Sequence, residues 1–439
     1  MGNQKSIMDP RNRSAGLHVE ADRHLERVAS LHFHASRDAP KEEIELYHRT
    51  STVHRVAREA GGVAPETQAG REEGIAVRLR SRRDRSPRFA ASSGGDARAV
   101  GWAVERASAS HGGDLEGPGW AAGRGDARLD RDAVVERVTD EDLAVWLDQV
   151  WERATAATKS APFPLSRAWV EVGTTLETWV AHGGLRASRA RMRAWAVAIP
   201  GGPTRNASLS RPAVIAARSW SALREMDWQG ILEDRVWRVD AAEPARSARL
   251  PVLFSPEATS TLATALIKAV HSSDEALGKP VGSGWRVQDR PRTPEVLLGS
   301  AYDDCGFGTS DRVLADGDRI QGSIGGPGCF RRPSFRDPPR PEHSELVVAH
   351  SEPGHLPPRT VLAATIKIHP LDTGQWIVQF EGGVLTHGEP AGAITAGFVK
   401  ATPHQLVERC LAGYGPVRQS YLGIQTPALL FDSLPVCWD

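Results

Sequence analysis

Apolar side chains recur at helical spacing between Leu17 and Phe33 and predict a first helix there. Glu43-Ile44-Glu45-Leu46-Tyr47-His48 alternates in character. Together with Val53 to Arg58 and Gly74 to Arg80 it predicts three strands of one antiparallel sheet. Phe89-Ala90-Ala91-Ser92 predicts a further strand and Asp96 to Ala107 a helix. Ser108 to Arg131 is rich in Gly, Ala and Asp and is the linker candidate. Thr139 is then the N-cap of an amphipathic helix to Ala157, whose apolar positions include Leu143, Leu147, Val150 and Trp151. Ala168 to Val172 and Thr175 to Val180 predict a hairpin, and Arg193 to Ile199 a further strand. His182-Gly183-Gly184-Leu185 reads as a turn, and Ala213 to Arg224 as a helix.

The second half is patterned differently. Pro251-Val252-Leu253-Phe254-Ser255-Pro256 predicts a short buried strand closed by a turn. Glu257 to Val270 predicts a helix with Ala258, Leu262, Ala265, Leu266 and Ala269 on one apolar stripe. From there the chain is β-rich with Gly and Pro turns, and Pro327 to Pro341 reads as a mobile Pro/Arg-rich loop. Tyr302-Asp303-Asp304-Cys305-Gly306-Phe307-Gly308-Thr309 precedes Val313 to Ile320. Gly374-Gln375-Trp376, Phe380-Glu381-Gly382-Gly383-Val384 and Ile424 to Phe431 follow.

That order and spacing resembles the TldD/PmbA (TldE) family, once called modulators of DNA gyrase. The resemblance is strongest from Pro251 to Phe431 and weakest from Ser108 to Glu233. It implies an α+β fold. An N-terminal antiparallel sheet with helices is expected over residues 1–110, and a linker and middle segment of helix plus strands over 111–250. A β-rich, barrel-like domain with a strand-helix element is expected over 251–439. In the catalytic TldD branch, a His-Glu-x-x-x-His zinc motif sits on the helix after the Pro-Val strand. Aligned without gaps from Pro251, the two His positions fall on Thr264 and Ala269 and the Glu on Ala265. Catalytic zinc needs about three protein ligands and an open position for water, and a carboxylate to shuttle the proton. Thr is a poor ligand and Ala is none. Ligands five residues apart also lie about 140° apart on an ideal helix, so the motif needs a widened turn; without it a plain helix is expected. The family's C-terminal Cys ligand is also missing from Tyr414 to Gly423. The chain therefore resembles the zinc-less TldE/PmbA branch, with no cofactor of its own and no catalytic residues. The expected partner is a zinc-bearing TldD-like subunit in a heterodimer, and the expected substrate an extended or unfolded peptide. That peptide could be a leader peptide of a ribosomal natural product. A stand-alone peptide-binding or regulatory protein is the alternative, and a hydrolase using other residues a third.

Composition narrows the classes. At 439 residues the chain can bury a sizeable core, and 40% hydrophobic with 25% charged residues is ordinary for a globular protein. A formal net charge of +0 argues against a general nucleic-acid or membrane-surface role. No apolar run approaches the ~20 residues of a spanning helix. Met1 to Ser6 lacks the apolar core of a signal peptide, although Met1-Gly2 with Ser6 formally fits an acylation pattern. Four widely spaced cysteines are expected as reduced thiols in a cytoplasmic protein.

The remaining candidate chemistry has plain readings. Asp303 and Asp304 are adjacent, so on a strand they point to opposite faces. A structural turn is the first reading and a place lining a peptide channel the second. Cys305 has no His placed by sequence to activate it. His343, His350 and His355 read as surface histidines in a polar loop, and His271 as solvent-facing or capping the helix C-terminus. The Arg run from Arg78 to Arg88 has no interleaved aromatics and reads as a solvated hairpin tip.

Overall fold

The computed structural model describes residues 10–39, 41–62, 64–81, 87–110, 127–130, 135–158, 165–200, 209–210, 212–226, 236–237, 242–272, 274–293, 297, 299–325, 329–332, 334–343, 346–349, 355–420 and 422–438. Helix α1 (Pro10–Asp38) leads into β1 (Glu42–Glu59), β2 (Glu66–Ser81) and β3 (Pro87–Ser93), then α2 (Ala97–Ala109) and β4 (Ala127–Asp130). Helix α3 (Asp140–Thr158), β5 (Leu165–Ala181), β6 (Arg186–Pro200), β8 (Ala213–Ala217) and α4 (Trp220–Glu225) follow, with a small pair β7 (Leu209–Ser210) and β9 (Val236–Trp237). One sheet runs β3-β2-β1-β5-β6-β4, and β8 also pairs with β6. The strands expected in the middle segment thus continue the sheet that residues 42–93 begin.

Strand alternation gives this sheet two different faces. One face carries Ile44, Leu46, Ile75, Val77 and Leu79 and packs under α1 and α2. It continues through Val56, Val170, Val172, Ala194 and Ala196 under α3 and α4. Local capping fixes the helix starts. Asp96 accepts from the Ala99 amide at 2.8 Å. Thr139 Oγ1 accepts from the Asp142 amide at 3.1 Å while Asp142 accepts from the Thr139 amide at 2.9 Å. The opposite face turns toward the C-terminal half.

In that half β10 (Arg246–Phe254) precedes α5 (Pro256–Val270) and a short 3₁₀ turn at Asp274–Ala276. Then come β11 (Arg286–Asp289), β12 (Arg312–Asp316), β13 (Phe330–Arg331), β14 (Arg340–Pro341) and β15 (Leu346–Ala349). Strands β16 (Arg359–Pro370), β17 (Trp376–Thr386) and β18 (Glu389–Ala401), helix α6 (Pro403–Glu408), and β19 (Cys410–Gln419) and β20 (Ile424–Trp438) complete it. Strands β10, β16, β17, β18 and β20 pair in a closed ring, because β20 meets both β18 and β10. Closure removes the sheet edges, and the barrel-like expectation is realised. Helix α5 buries Leu262, Leu266, Ile267 and Val270 against the barrel core with Phe254, Phe380 and Phe431. At about 1.5–3 kcal/mol per buried side chain these four contribute about 6–12 kcal/mol before entropy. Ser255 caps the helix, and the helix is regular α throughout, as its lack of a metal motif predicts.

Several expectations are corrected. Residues 43–58 form one strand, because Arg49 to Thr52 stay in register with both β2 and β5. Residues 168–180 likewise form one strand, and the hairpin turn is His182 to Leu185. Ala213 to Ala217 is a strand on β6; only Trp220–Glu225, capped by Ser219, is helical. Val214 and Ile215 favour extended backbone, and a free place beside β6 decides the matter. Of the stretch read as a mobile loop, the described residues Cys329, Phe330, Arg331, Arg332 and Phe335 are buried and form a docking element. Within α5, Ala265 is half-buried and Ala269 is exposed, so the apolar face is rotated from the expected stripe toward Ala263, Ile267 and Val270. No helix among the described residues is long and apolar enough to cross a membrane.

Candidate functional site

The two halves meet on the face of the N-terminal sheet that the helices leave uncovered. At one end the contact is apolar. Tyr47, Ala76, Trp179 and Ala187 pack with Phe335, whose ring lies so close to β2 that a Cβ on Gly74 would stand 2.2 Å from it. Next to this plug lies a buried ionic joint. Glu45, on β1, receives Arg78 from β2 and Arg332 from the C-terminal half, each at 2.5 Å. Arg332 also stacks over the Tyr47 ring at 4.7 Å.

The register sets the next rows of side chains. Arg49, Glu177 and Arg189 stand side by side, then Ser51, Thr175 and Arg191, then Val53, Gly173 and Arg193. Arg189, Arg191 and Arg193 share one face because they are two residues apart on β6. Arg189 is fully buried and heavily engaged. It donates to Glu177 at 2.5 Å, to Ser300 Oγ at 3.0 Å, to the Tyr302 carbonyl at 2.9 Å and to Asp304. Burial pushes its pKa down, but Glu177 and Asp304 outweigh that and hold it above its ordinary value. Glu177 is likewise held below the usual carboxylate range: burial opposes this, and Arg189 and Arg49 overcome it. Tyr47 donates its hydroxyl to the same carboxylate at 2.6 Å.

Past this network the halves diverge around a cavity of about 480 Å³. Its sheet-side wall includes Ser51, Thr175, Arg191, Arg193 and Trp195. Its other wall includes Thr264 and Lys268 of α5, together with Asp304, Arg331, Arg332 and His343. Lys268 pairs with Glu342 at 2.7 Å, and Glu171, also at the lining, accepts from Arg55 Nε at 2.6 Å. A second cavity of about 470 Å³ lies between α1 and the helix-covered face and shares Thr52, Thr175 and Arg191 with the first.

The residues singled out by sequence fall as follows. Thr264 lines the cavity, its hydroxyl bonded to the Ser260 carbonyl at 2.9 Å. Ala265 leans on the barrel core, and Ala269 is exposed elsewhere. These three side chains do not fit a zinc ion: they offer one hydroxyl, already used, and two methyl groups. Asp304 lines the cavity but is held by Arg189 and by the Arg332 amide. Asp303 is fully buried away from it. It accepts from the Cys305 and Phe307 amides at 2.9 Å and from Phe330 at 3.2 Å, and so holds a turn. Burial pushes its carboxyl above the usual range against Arg331 and those amides.

The same geometry corrects three plain readings and agrees with that of Cys305. His271 caps α5 but is buried, its ring bonded to the Gly322 carbonyl at 2.9 Å. His343 is 4% exposed, and burial, then Lys268 and Arg331, lower its pKa to about 3. His355 is exposed and His350 lies outside the described residues, so no histidine trio forms on a loop surface. Arg78 is buried in the ionic joint, while residues 82–86 of that run lie outside the described residues. Cys305 is buried, and burial pushes its thiol well up, which suits an inert thiol. Among the described residues, no group of three or more His, Cys, Asp or Glu could hold a metal ion.

Sequence reading missed the Arg189-Ala190-Arg191-Met192-Arg193 ladder. Its signal was present as strict alternation of Arg with small or apolar residues just after the His182 turn. The partners across the joint are 115 and 287 residues away in sequence and left no local trace.

No family model matches the sequence, and no curated protein does. Solved structures do. TldE from Thermococcus kodakarensis superposes with a TM-score of 0.70 at 15% identity, over 90% of this chain and 96% of that one. A candidate modulator of DNA gyrase from Bacteroides thetaiotaomicron gives 0.69 at 14% identity, over 94% and 99%. Another from Thermotoga maritima gives 0.66 at 13%, over 93% and 99%. The chain has the fold of these proteins over nearly its whole length.

Proposed function

We propose that this chain is the metal-less, TldE-like subunit of a two-subunit peptidase acting on extended peptides. The observation that carries the reading is the state of α5. The helix keeps its place after the Pro251 strand, its cap and its buried face, and it presents Thr264 to the inter-half cavity. At the positions where the catalytic branch is expected to hold zinc, it offers Thr264, Ala265 and Ala269. The packing face is intact while the ligand face is vacant of ligands, which fits a scaffold whose chemistry resides in a partner.

In this reading a zinc-bearing TldD-like subunit supplies the metal and the proton-shuttling carboxylate. This chain completes the enclosure and holds peptide, and it is not catalytic by itself. Enclosure admits an extended strand and excludes a folded domain, and backbone pairing at a sheet edge makes selection loose in sequence. A leader peptide of a ribosomal natural product and a general pool of unfolded peptides both suit such a site.

Co-expression with a homologue that carries His-Glu-x-x-x-His tests the reading. A stable heteromer with peptidase activity, abolished by substituting the partner's motif, is expected. Two well-folded proteins that elute separately at micromolar concentration would count against it.

A further inference from the structure

The walls of the inter-half cavity are short of acceptors. Twelve buried side-chain nitrogen or oxygen atoms among the described residues have no hydrogen-bond partner, and six of them sit on four residues that line this cavity. They are Trp195 Nε1, Arg331 Nε and Nη2, Arg332 Nη1 and both ring nitrogens of His343. Apart from one nitrogen of a neutral imidazole, all are donors. Arg331, Arg332 and His343 are 9%, 6% and 4% exposed, so bulk solvent barely reaches them. Leaving so many buried donors unmade is expensive, and such a cluster calls for an acceptor that this chain does not itself supply.

Charge points the same way. The carboxylates at the lining are already engaged: Glu171 by Arg55, Glu342 by Lys268, and Glu177 and Asp304 by Arg189 and Arg191. Arg193 lines the same space with no hydrogen-bond or ion-pair partner among the described residues. Burial lowers its pKa, Glu177 opposes that, and Arg49 and Arg189 add repulsion. A cavity with orphaned donors on both walls and the Arg193 guanidinium on the sheet side selects a small planar anion that accepts from several directions.

We propose that this cavity is a carboxylate-binding subsite for the extended peptide, with Arg193 and Arg331 gripping the anion from opposite walls and His343 donating to it. The proposal rests on the peptide-binding reading above and adds to it a chemical preference. The carboxylate has two sources, the peptide's own C-terminus or an Asp or Glu side chain. Neither involves a covalent step. The site holds the chain and leaves bond cleavage to the partner.

The test uses the full chain and fluorescein-labelled, unstructured ten-residue peptides read by anisotropy. One peptide has a free C-terminus and no acidic side chain. A second is its C-terminal amide, and a third is the amide with one internal Glu. At least a tenfold advantage of the first over the second assigns the subsite to a peptide terminus, and the same advantage of the third assigns it to a side chain. Either advantage should shrink to less than threefold in Arg193→Gln and be partly kept in Arg193→Lys. Because no described residue makes a hydrogen bond or ion pair with Arg193, Arg193→Gln should melt no lower than the parent protein. Equal affinity for all three peptides, or an advantage untouched by Arg193→Gln and by Arg331→Gln, overturns the proposal. Such a result alongside a stable zinc-bearing heteromer would sink the subsite and leave the subunit reading standing. Carboxylate-selective binding without any heteromer would do the reverse.

Discussion

Substituting Glu45 by Gln should loosen the joint between the two halves. Glu45 is 2% exposed and lies between the guanidinium groups of Arg78 and Arg332, whose side chains are 5% and 1% exposed. Gln keeps one acceptor oxygen but turns an NH₂ donor toward the other guanidinium, and it removes the negative charge those two cations share at hydrogen-bond distance. A hydrogen bond to a charged group contributes about 1.5–3 kcal/mol, and breaking a buried ion pair from one side costs about 3–5 kcal/mol. A loss of about 3–5 kcal/mol is therefore expected. Because Arg332 belongs to the other half, the loss should also separate the unfolding of the two halves. Calorimetry together with near-ultraviolet circular dichroism, which reports on Tyr47 and Trp179 at the joint, measures both effects. A companion variant, Glu45→Leu with Arg78→Met and Arg332→Met, leaves no stranded charge and should recover most of the loss. A Glu45→Gln protein within about 1 kcal/mol of the parent, or a triple variant less stable than the single one, would refute the reasoning.

Other perturbations follow from the same geometry. Burial lowers the pKa of His343 to about 3 and that of His48, near Arg27 and Glu73, to about 4, from an ordinary 6.5. The unfolded chain therefore takes up protons that the folded one refuses. Stability should be full above about pH 6.5 and fall below it by up to about 1.4 kcal/mol per pH unit for each histidine. Urea midpoints at stepped pH read this slope, and His343→Leu should flatten it. On β17, a Cβ on Gly382 would stand 1.8 Å from the Leu362 carbonyl oxygen. Gly382→Ala should thus open the barrel and lower stability by about 2 kcal/mol or more; an unchanged melting temperature would contradict this. Writing the motif back as Thr264→His, Ala265→Glu and Ala269→His should not create a zinc site. The helix is regular and Ala269 is exposed, so the two imidazoles diverge by about 140°. Elemental analysis showing stoichiometric zinc in that variant would disprove the point.

What could be read from sequence was whatever is encoded locally. Thr139 announces a helix start by its own side chain, and the Gly183-Gly184 turn marks a hairpin. The fold class followed from the family resemblance that the strand-helix element at Pro251 and the Gly-rich segments after it carry. Strand length was misread at Arg49 to Thr52 and at Gly173, where polar or small residues suggested breaks. Neighbouring strands on both sides hold those stretches extended. The cavity was out of reach for a different reason. Arg191 and Arg193 gain meaning only when β6 is laid beside β5, and His343 only when its loop docks near Lys268 and Arg331. Burial of a histidine or an arginine is a property of the assembled halves, and no local pattern announces it.

Zinc content weighed against activity, for this chain alone and for its complex with a His-Glu-x-x-x-His homologue, probes the central claim most directly. The account predicts an inert, zinc-free protein in isolation and one zinc per active heteromer. Stoichiometric zinc and peptide cleavage by the isolated chain would contradict it.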